Sequence, residues 1–345
     1  MKNLTIWTRY GELGASSRLR YYQLVPYLEQ RGWSVKIHNF FTDEYLQQLY
    51  QNGSKNIAEL WRSWQTRRRQ MAQTAPDVPA LIEYELLPFL PYILEKNFLS
   101  RRKYVLNFDD AVDLRYRKIP VLCRKYPRLL THAAGVITAN EVLSRKFRNF
   151  NKNICKIPTV PPPLIPAAVD KPAKFTLLWI GTPVTFAYLY ERRTALQLAA
   201  QQCDFELLIV GGGQAVPGVQ CQVIPWSENA ENMALQRAHA GIMPLPDTPF
   251  ARGKSAYKLI RYLQAGLPSV ASPVGENCQV VQDGKTGFFA QSDSQWAEQI
   301  CRLADPQLRE IMRPAVLSES GKYTLDHAAE QLDTFLAGIL TGYSH

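Results

Sequence analysis

The sequence has few of the side chains that bind metal ions or form cross-links. Its 345 residues include five histidines and six cysteines. The cysteines are scattered, with no Cys-x-x-Cys pair: Cys123, Cys155, Cys203, Cys221, Cys278 and Cys301. Structural zinc sites and disulfide frameworks need closely spaced ligands or paired cysteines. The pattern is typical of a reducing cytoplasm, and it predicts neither a metal site nor a disulfide frame.

Long hydrophobic runs are also lacking. The longest, LLPFLPYIL at 86–94, contains two prolines and is far shorter than the roughly 20 residues of a membrane-spanning helix. The N-terminal stretch MKNLTIWTRYGELG is too polar for a signal peptide. These features predict a cytoplasmic protein, and the length suggests about two domains.

Cations outnumber anions, giving a formal net charge of +10. Such an excess suits nucleic acid, an anionic membrane surface or a phosphorylated substrate. Residues 59–70 place Trp61 and Trp64 among four arginines, which predicts either peripheral contact with an anionic membrane or an ordinary solvated helix face. Nucleic-acid binding rests on charge alone, without a stacking motif, and is not expected.

Short apolar runs alternate with helix-length amphipathic stretches along the whole chain, as in α/β domains with parallel sheets. A proline-rich segment interrupts this alternation at 158–174, and proline neither continues a helix nor joins a sheet interior. We therefore predict a first domain at 1–160, a linker at 161–174 and a second domain at 175–324. The helix predicted at about 325–345 is expected to pack back on the first domain. Two such domains would face a cleft at the carboxyl ends of their strands.

The stretch ARGKSAYKLIRYLQAGLPSVASPVG at 251–275 contains the most informative charge pattern. Its GKS sequence is not a P-loop, because the glycine required five residues earlier is Thr248. Lys254, Lys258 and Arg261 are predicted to follow one face of a helix beginning near Ser255. Like charges there repel one another and the helix dipole. Either they are solvated, or an incoming diphosphate reverses both penalties, and we favour the second interpretation.

From this stretch to QWAEQI at 295–300, the sequence resembles the donor-binding domain of glycosyltransferase family 4, whose GT-B architecture has two Rossmann-like domains. LLWIGTPVTFAYL, LLIVGGG and HAGIMPLPDTPFARGKS extend the resemblance. In the first half it includes YGELGASSRLRYYQLVPYLEQRGWSV, NFDDAV and GVITANEVLSRKF. Each motif is weak by itself, but their order is specific and covers nearly the whole chain.

The resemblance implies a donor site in the second domain. Lys254, Ser255 and Lys258 are expected at the donor diphosphate, with Lys258 also catalytic, and Arg261 at the ribose or phosphate. The remaining expected donor contacts are Gly181, Thr182, Gly211, Trp226 and Glu228.

In the first domain, the loop and helix start GELGASSRLR is expected to contact the donor through Gly11, Gly14 and Arg18. Acceptor contacts are expected from Ser16, Arg20 and Glu85. Asp109 and Asp110 follow a predicted strand at its carboxyl end and are the expected catalytic carboxylates; helix capping is the alternative role.

The family signature, two glutamates separated by seven residues, is absent: Gly253 and Arg261 occupy those positions. The resemblance implies metal-independent sugar transfer with retention of anomeric configuration, from a nucleotide-sugar co-substrate and without a bound cofactor. The expected acceptor is a glycan or lipid-linked glycan in bacterial polysaccharide or glycolipid biosynthesis. The missing glutamates leave a non-catalytic sugar-nucleotide-binding or partner subunit as the alternative.

Overall fold

A computed structural model describes residues 2–52, 57–166 and 170–340. The chain divides into two compact units. The first comprises residues 1–162, the short segment Gly253–Ser255 and the C-terminal residues from Leu325 onward; the second comprises Pro163–Arg252 and Ala256–Thr324.

The first unit contains one parallel six-stranded sheet with the strand order β2-β1-β3-β4-β5-β6. Its strands are β1 Lys2–Thr8, β2 Trp33–Asn39, β3 Ala80–Glu83, β4 Tyr104–Phe108, β5 Gly135–Thr138 and β6 Ile154–Lys156. Its helices before the second unit are α1 Ala15–Arg20, α2 Val25–Gln30, α3 Asp43–Asn52, α4 Ile57–Gln73, α5 Ile93–Leu99, α6 Lys125–His132 and α7 Glu141–Phe147, with 3-10 helices at Tyr22–Leu24 and Val112–Tyr116.

The second unit repeats this arrangement with the order β12-β11-β10-β7-β8-β9. Its strands are β7 Phe175–Gly181, β8 Phe205–Gly211, β9 Cys221–Pro225, β10 Ala240–Met243, β11 Ser269–Ala271 and β12 Gly287–Phe289. Its helices are α8 Pro183–Tyr190, α9 Arg193–Gln202, α10 Glu228–Arg237, α11 Pro249–Arg252, α12 Tyr257–Gln264, α13 Asn277–Val280, α14 Asp293–Ala304 and α15 Pro306–Ser320.

The last helix, α16 Leu325–Leu340, belongs to the first unit. Its Asp333 Oδ1 accepts a hydrogen bond of 2.7 Å from Trp33 Nε1. A Cβ added at Gly135, the first residue of β5, would lie 2.4 Å from Ile339 Cδ1, so the absent side chain at Gly135 lets α16 approach β5 closely.

Central strands of both sheets are almost entirely apolar, because helices cover both faces of a parallel sheet. In the second unit, residues of β7 alternate between two buried clusters. Leu177 and Trp179 join one cluster, whereas Leu178 and Ile180 join the other. Within the described residues, no helix has both the length and the apolar content needed to cross a membrane.

Two elements differ from simple expectation. The stretch 17–32, which reads as one helix, is divided among α1, a 3-10 turn and α2, and Pro26 occupies the first turn of α2. The apolar run ALIEYEL at 80–86 predicts a strand of seven residues. The strand β3 instead ends at Glu83, because Tyr84 has a φ of 62°. That left-handed conformation cannot continue a β-strand.

Candidate functional site

The strand order of the second sheet reverses between β7 and β10, which are neighbours although far apart in sequence. Ligands of open α/β sheets bind at the carboxyl ends of the strands beside such a reversal. Gly181 ends β7, and Thr182 is the N-cap of α8. The candidate site of this unit is therefore built around the turn from Gly181 into α8.

Glycines in two adjacent turns let their backbones touch. Gly211, which pairs with Gly181 at the ends of β8 and β7, has a φ of 109°, and an added Cβ would lie 2.1 Å from the Gly181 carbonyl oxygen. At Gly212, an added Cβ would lie 2.2 Å from the Pro183 nitrogen. Any side chain here would force the two turns apart.

The start of α8 is fixed locally. Thr182 and Thr185 form a reciprocal capping box, in which the Thr182 N–H donates to Thr185 Oγ1 at 3.1 Å. Pro183 is the first helical residue, a position where its lack of an N–H costs nothing. A helix start favours anions through its backbone N–H groups and its dipole.

Lys258 lies in the first turn of α12 and supplies a cation at this place. Its Nζ is 5.3 Å from the ring centroid of Trp179, within the range of a cation–π interaction. The same indole ring lies against Gly181, where an added Cβ would be 2.5 Å from it. Lys258 and the β7–α8 turn thus share Trp179 as a neighbour, which places the ammonium group near the candidate anion site.

The expectation that three cations share one helix face is wrong. The helix begins at Tyr257 rather than near Ser255, after Ala256 in the left-handed conformation with a φ of 53°. Lys254 and the partly buried Ser255 precede the helix and group with the first unit. Arg261 is on α12, but only 4% of it is exposed.

Arg261 belongs to a buried chain of polar side chains. Its Nε donates to Glu231 Oε1 at 2.9 Å, and Trp226 Nε1 donates to the other oxygen, Glu231 Oε2, at 2.7 Å. Glu231, on α10, is 6% exposed, whereas Trp226 is 40% exposed. The arginine at the second signature position therefore has a carboxylate partner delivered by a different helix.

Sequence reasoning missed Glu231 and chose Glu228 instead. Glu228 is the exposed first residue of α10, directly after the N-cap Ser227. A carboxylate is the strongest acceptor for a buried arginine, so the cation at position 261 could have prompted a search for one. The sequence itself does not indicate which glutamate pairs with it.

In the first unit, Glu83 organises the loop between β1 and α1. Its carboxylate accepts hydrogen bonds from the Arg9 N–H at 2.7 Å, Ser16 Oγ at 2.7 Å and Ser17 Oγ at 2.6 Å. Burial raises the pKa of Glu83, and these hydrogen bonds oppose the rise. Ser16, predicted to contact the acceptor, thus donates its hydroxyl proton to Glu83 within the first unit.

The other predicted residues of this loop also have internal contacts. An added Cβ at Gly11 would lie 2.4 Å from Asp43 Oδ1, and one at Gly14 would lie 2.3 Å from Tyr10 Cβ. Arg18 Nη1 donates to the Glu12 carbonyl at 3.0 Å. The glycines therefore allow a tightly folded loop, which Arg18 supports from its outer side.

Arg20 and Glu85, predicted to bind the acceptor, are interior residues with 4% and 5% exposure. Arg20 Nη1 donates to the Ile157 carbonyl at 2.6 Å and Nη2 to Asn107 Oδ1 at 2.5 Å. Glu85 pairs with Lys125 Nζ at 2.6 Å and with Arg9 Nη1 at 3.5 Å. These partners hold both side chains in the interior of the first unit, and their contact with the acceptor stays a prediction.

Asp109 and Asp110 follow β4 and lie in a cluster of polar groups. Tyr84 Oη donates to Asp109 Oδ1, and Lys254 Nζ lies 3.6 Å from Asp110 Oδ2. Burial raises the pKa of Asp110 to about 6, Lys254 opposes this rise and Asp109 adds to it. Lys254, predicted at the donor diphosphate, is therefore the ion-pair partner of a predicted catalytic carboxylate.

The structure also gives a reason why glutamate is absent at position 253. Gly253 is buried, and its carbonyl accepts a hydrogen bond of 2.6 Å from Asn140 Nδ2. An added Cβ would lie 2.6 Å from Ala111 Cβ and 3.2 Å from the Ala111 nitrogen. A glutamate would have to displace this backbone, so the segment 253–255 requires glycine at its start.

The tryptophan- and arginine-containing stretch lies on α4, which is only partly a surface helix. Arg67 is 1% exposed and donates to the Thr8 carbonyl at 2.7 Å, and Trp64 Nε1 donates to the Pro88 carbonyl at 2.9 Å. Trp61, Arg62, Arg68 and Arg69 are exposed. Of the six tryptophan and arginine side chains in this stretch, Arg67 and Trp64 therefore bind backbone carbonyls of the first unit.

The raised pKa of Asp110 predicts a pH-dependent stability. Because the folded pKa of about 6 exceeds the unfolded value of roughly 3.9, the group stabilises the fold below the unfolded pKa, and this contribution is lost as pH rises through 6. The test compares the free energy of unfolding of Asp110→Asn with that of wild type. This difference should favour the variant by about 1 kcal/mol more at pH 7.5 than at pH 4, after allowance for solvent screening. Denaturant unfolding at both pH values measures this difference.

Lys254→Met is the matched variant for this test. It removes the cation that opposes the rise in pKa, so its stability should fall more steeply than that of wild type between pH 4 and 7.5. An Asp110→Asn curve parallel to wild type across this range would contradict the assignment.

Two parallel six-stranded sheets, the second with a glycine-rich turn at its strand-order reversal, define an α/β protein with two Rossmann-like folds. Residues 175–305 match the family model described as "Glycosyl transferases group 1". The resemblance drawn from the sequence is thus confirmed for this domain. No curated protein gives a significant match.

Solved structures with the same fold cover nearly the whole chain. Sucrose-phosphate synthase from Thermosynechococcus elongatus aligns with a TM-score of 0.70 at 15% identity, covering 99% of this chain and all of that one. A glycosyltransferase from Rickettsia africae gives 0.67 at 14% identity, with 99% and 100% covered. HepE from Anabaena, solved with UDP, gives 0.64 at 14% identity, with 98% and 100% covered. The predicted α/β GT-B fold is confirmed.

Proposed function

We propose that this protein is a glycosyltransferase that moves a sugar from a nucleoside diphosphate to a glycan or lipid-linked acceptor, with retention of anomeric configuration. The observation that carries the proposal is the position of Lys258, whose ammonium group shares Trp179 with the Gly181–Thr182 turn. The matching family domain and the fold support the same class of reaction.

The proposed chemistry depends on the leaving group. As the bond from the sugar to the diphosphate breaks, negative charge builds on the phosphate oxygens and the sugar acquires oxocarbenium character. Lys258 and the N–H groups at the start of α8 would stabilise that charge electrostatically. We propose that these groups suffice without a metal ion.

The exposed face of Trp226 is the proposed contact for the nucleotide base or ribose. Its indole N–H is held by Glu231, which also pairs with Arg261. Arg261 then holds the Glu231 carboxylate in place, and this carboxylate orients Trp226. In this proposal Arg261 does not bind phosphate directly.

In the first unit, Asp109 and Asp110 are the proposed acceptor-side carboxylates. With a pKa of about 6, Asp110 would be mostly ionised at neutral pH and could accept a proton from an acceptor hydroxyl. Lys254 would orient it. A role in bacterial polysaccharide or glycolipid synthesis fits such an acceptor.

A thermal-shift panel tests the donor proposal. UDP, GDP, ADP, TDP and CMP compounds are compared with and without their sugars, and one nucleoside diphosphate should raise the melting temperature. Slow hydrolysis of the matching sugar nucleotide should follow. The missing signature glutamates at 253 and 261 favour the second candidate, a non-catalytic binding subunit, which would give the thermal shift without hydrolysis. No shift with any donor would contradict both.

The exposed residues of α4 support a proposed contact with an anionic membrane surface. Trp61 is 58% exposed, and the cations Arg62, Arg68 and Arg69 can each contribute about 1 kcal/mol near anionic lipid. The protein should co-sediment with phosphatidylserine vesicles at low salt but not at high salt. Trp61→Ala should weaken this binding several-fold, and sedimentation equal to that with neutral vesicles would contradict the proposal.

A further inference from the structure

Two cysteines that are distant in sequence meet in the second unit. Cys203 is the C-cap of α9, and Cys301 is in α14. Although 98 residues separate them, their sulfur atoms are 2.6 Å apart. No sequence pattern indicates this pair, because neither cysteine belongs to a short motif.

The distance is shorter than a non-bonded contact between two sulfur atoms and not far above the roughly 2.05 Å of a disulfide bond. Both side chains are partly buried against the core that contains Ala199 and Ile300. The Cys301 thiol also lies 3.6 Å from the Ala199 carbonyl oxygen. The packing of α9 against α14 therefore holds the two thiols in contact.

The other four cysteines differ from this pair. Cys123 and Cys155 belong to the first unit. In the second unit, Cys221 Sγ contacts the backbone of Val216, and Cys278 is exposed. Among the described cysteines of the second unit, Cys203 and Cys301 are the two whose thiols contact each other.

We propose that Cys203 and Cys301 form a reversible disulfide when the protein meets a small-molecule disulfide oxidant. One protein thiolate attacks a sulfur of the oxidant and releases its first thiol. The second protein thiolate then attacks the protein sulfur of that mixed disulfide and releases the other thiol. Two cysteine thiols are thus oxidised with loss of two protons and two electrons, and the oxidant is reduced to two thiols.

The surroundings set the conditions for this reaction. Burial, and next the contact with Cys301, raise the pKa of Cys203 to about 12. Because the thiolate is the attacking species, cross-linking should be slow at neutral pH and faster as pH rises.

The test uses the full-length folded protein and glutathione disulfide at pH 8.5. After incubation, free thiols are alkylated and the digest is analysed by mass spectrometry. We expect a linked peptide containing Cys203 and Cys301, with four of the six thiols still alkylated. The cross-link closes a long loop, so the oxidised protein should melt roughly 5 °C or more above the reduced protein.

Three serine variants serve as controls. Cys203→Ser and Cys301→Ser should each abolish the linked peptide and the melting shift, whereas Cys278→Ser should preserve both. Thermal unfolding of each reduced variant verifies that it folds, and the wild-type digest decides the question if one does not. Six alkylated thiols after oxidation, or glutathione retained as a mixed disulfide without a Cys203–Cys301 peptide, would overturn the proposal.

Discussion

Replacing Lys258 with alanine should weaken binding of the nucleoside diphosphate by roughly 10- to 100-fold, corresponding to about 1.4–2.8 kcal/mol. This is the size expected when a charge-assisted contact with phosphate is lost. Isothermal titration calorimetry with the diphosphate selected by the thermal-shift panel measures the change.

The fold should tolerate this substitution. Lys258 is partly exposed, and its cation–π contact with Trp179 is worth about 0.5–1 kcal/mol. The free energy of unfolding should therefore fall by no more than about 1 kcal/mol, so lost binding cannot be attributed to lost structure.

Two matched variants complete the Lys258 experiment. Lys285→Ala removes an exposed lysine of the same unit and should leave affinity unchanged. Lys258→Arg retains the cation and should recover part of the binding. If Lys258→Ala and wild type bind the diphosphate with equal affinity, the proposed role of Lys258 at the donor phosphates is wrong and the proposed function loses its main support.

The second large effect is expected at Glu231. Glu231→Ala leaves the Arg261 guanidinium buried without its carboxylate, and breaking a buried pair from one side costs about 3–5 kcal/mol. It also removes the acceptor of the Trp226 indole N–H. Denaturant unfolding measures the loss.

Glu228→Ala is the control for this prediction, since it removes an exposed glutamate from the first turn of the same helix. Its cost should stay below about 1 kcal/mol. The double variant Glu231→Gln with Arg261→Met removes both charges and should recover much of the stability lost by Glu231→Ala. Equal stability of Glu231→Ala and Glu228→Ala would show that the pair contributes nothing.

A related consequence concerns the family signature. Arg261→Glu, which restores the second glutamate, would place a second carboxylate beside buried Glu231. Like charges in a buried site repel strongly. The arginine and its partner on α10 therefore have to be changed together.

Much of the fold could be predicted because parallel strands buried on both faces have a strong local pattern. All twelve strands coincide with apolar runs visible in the sequence, even the three-residue β11 and β12. Their ends were harder to place. The left-handed Tyr84 that stops β3 is not a glycine or an asparagine, so no residue type marks it.

The candidate site was predictable where it depends on backbone geometry. Gly181 and Gly211 are the last residues of two apolar strands, and the turns that follow need small residues there. The partners of charged side chains were not predictable. Glu231–Arg261, Lys254–Asp110 and the three donors to Glu83 join residues 30 to 144 positions apart in sequence, and only folding determines which charges meet.

The return of α16 to the first unit affects how the protein can be made. During translation, residues 1–162 emerge from the ribosome long before Leu325 is synthesised. The nascent first unit therefore lacks the helix that covers Gly135 and binds Trp33. Until translation nears its end, that apolar face remains open to solvent or to other chains. Cutting the gene at the proline-rich segment would make this condition permanent.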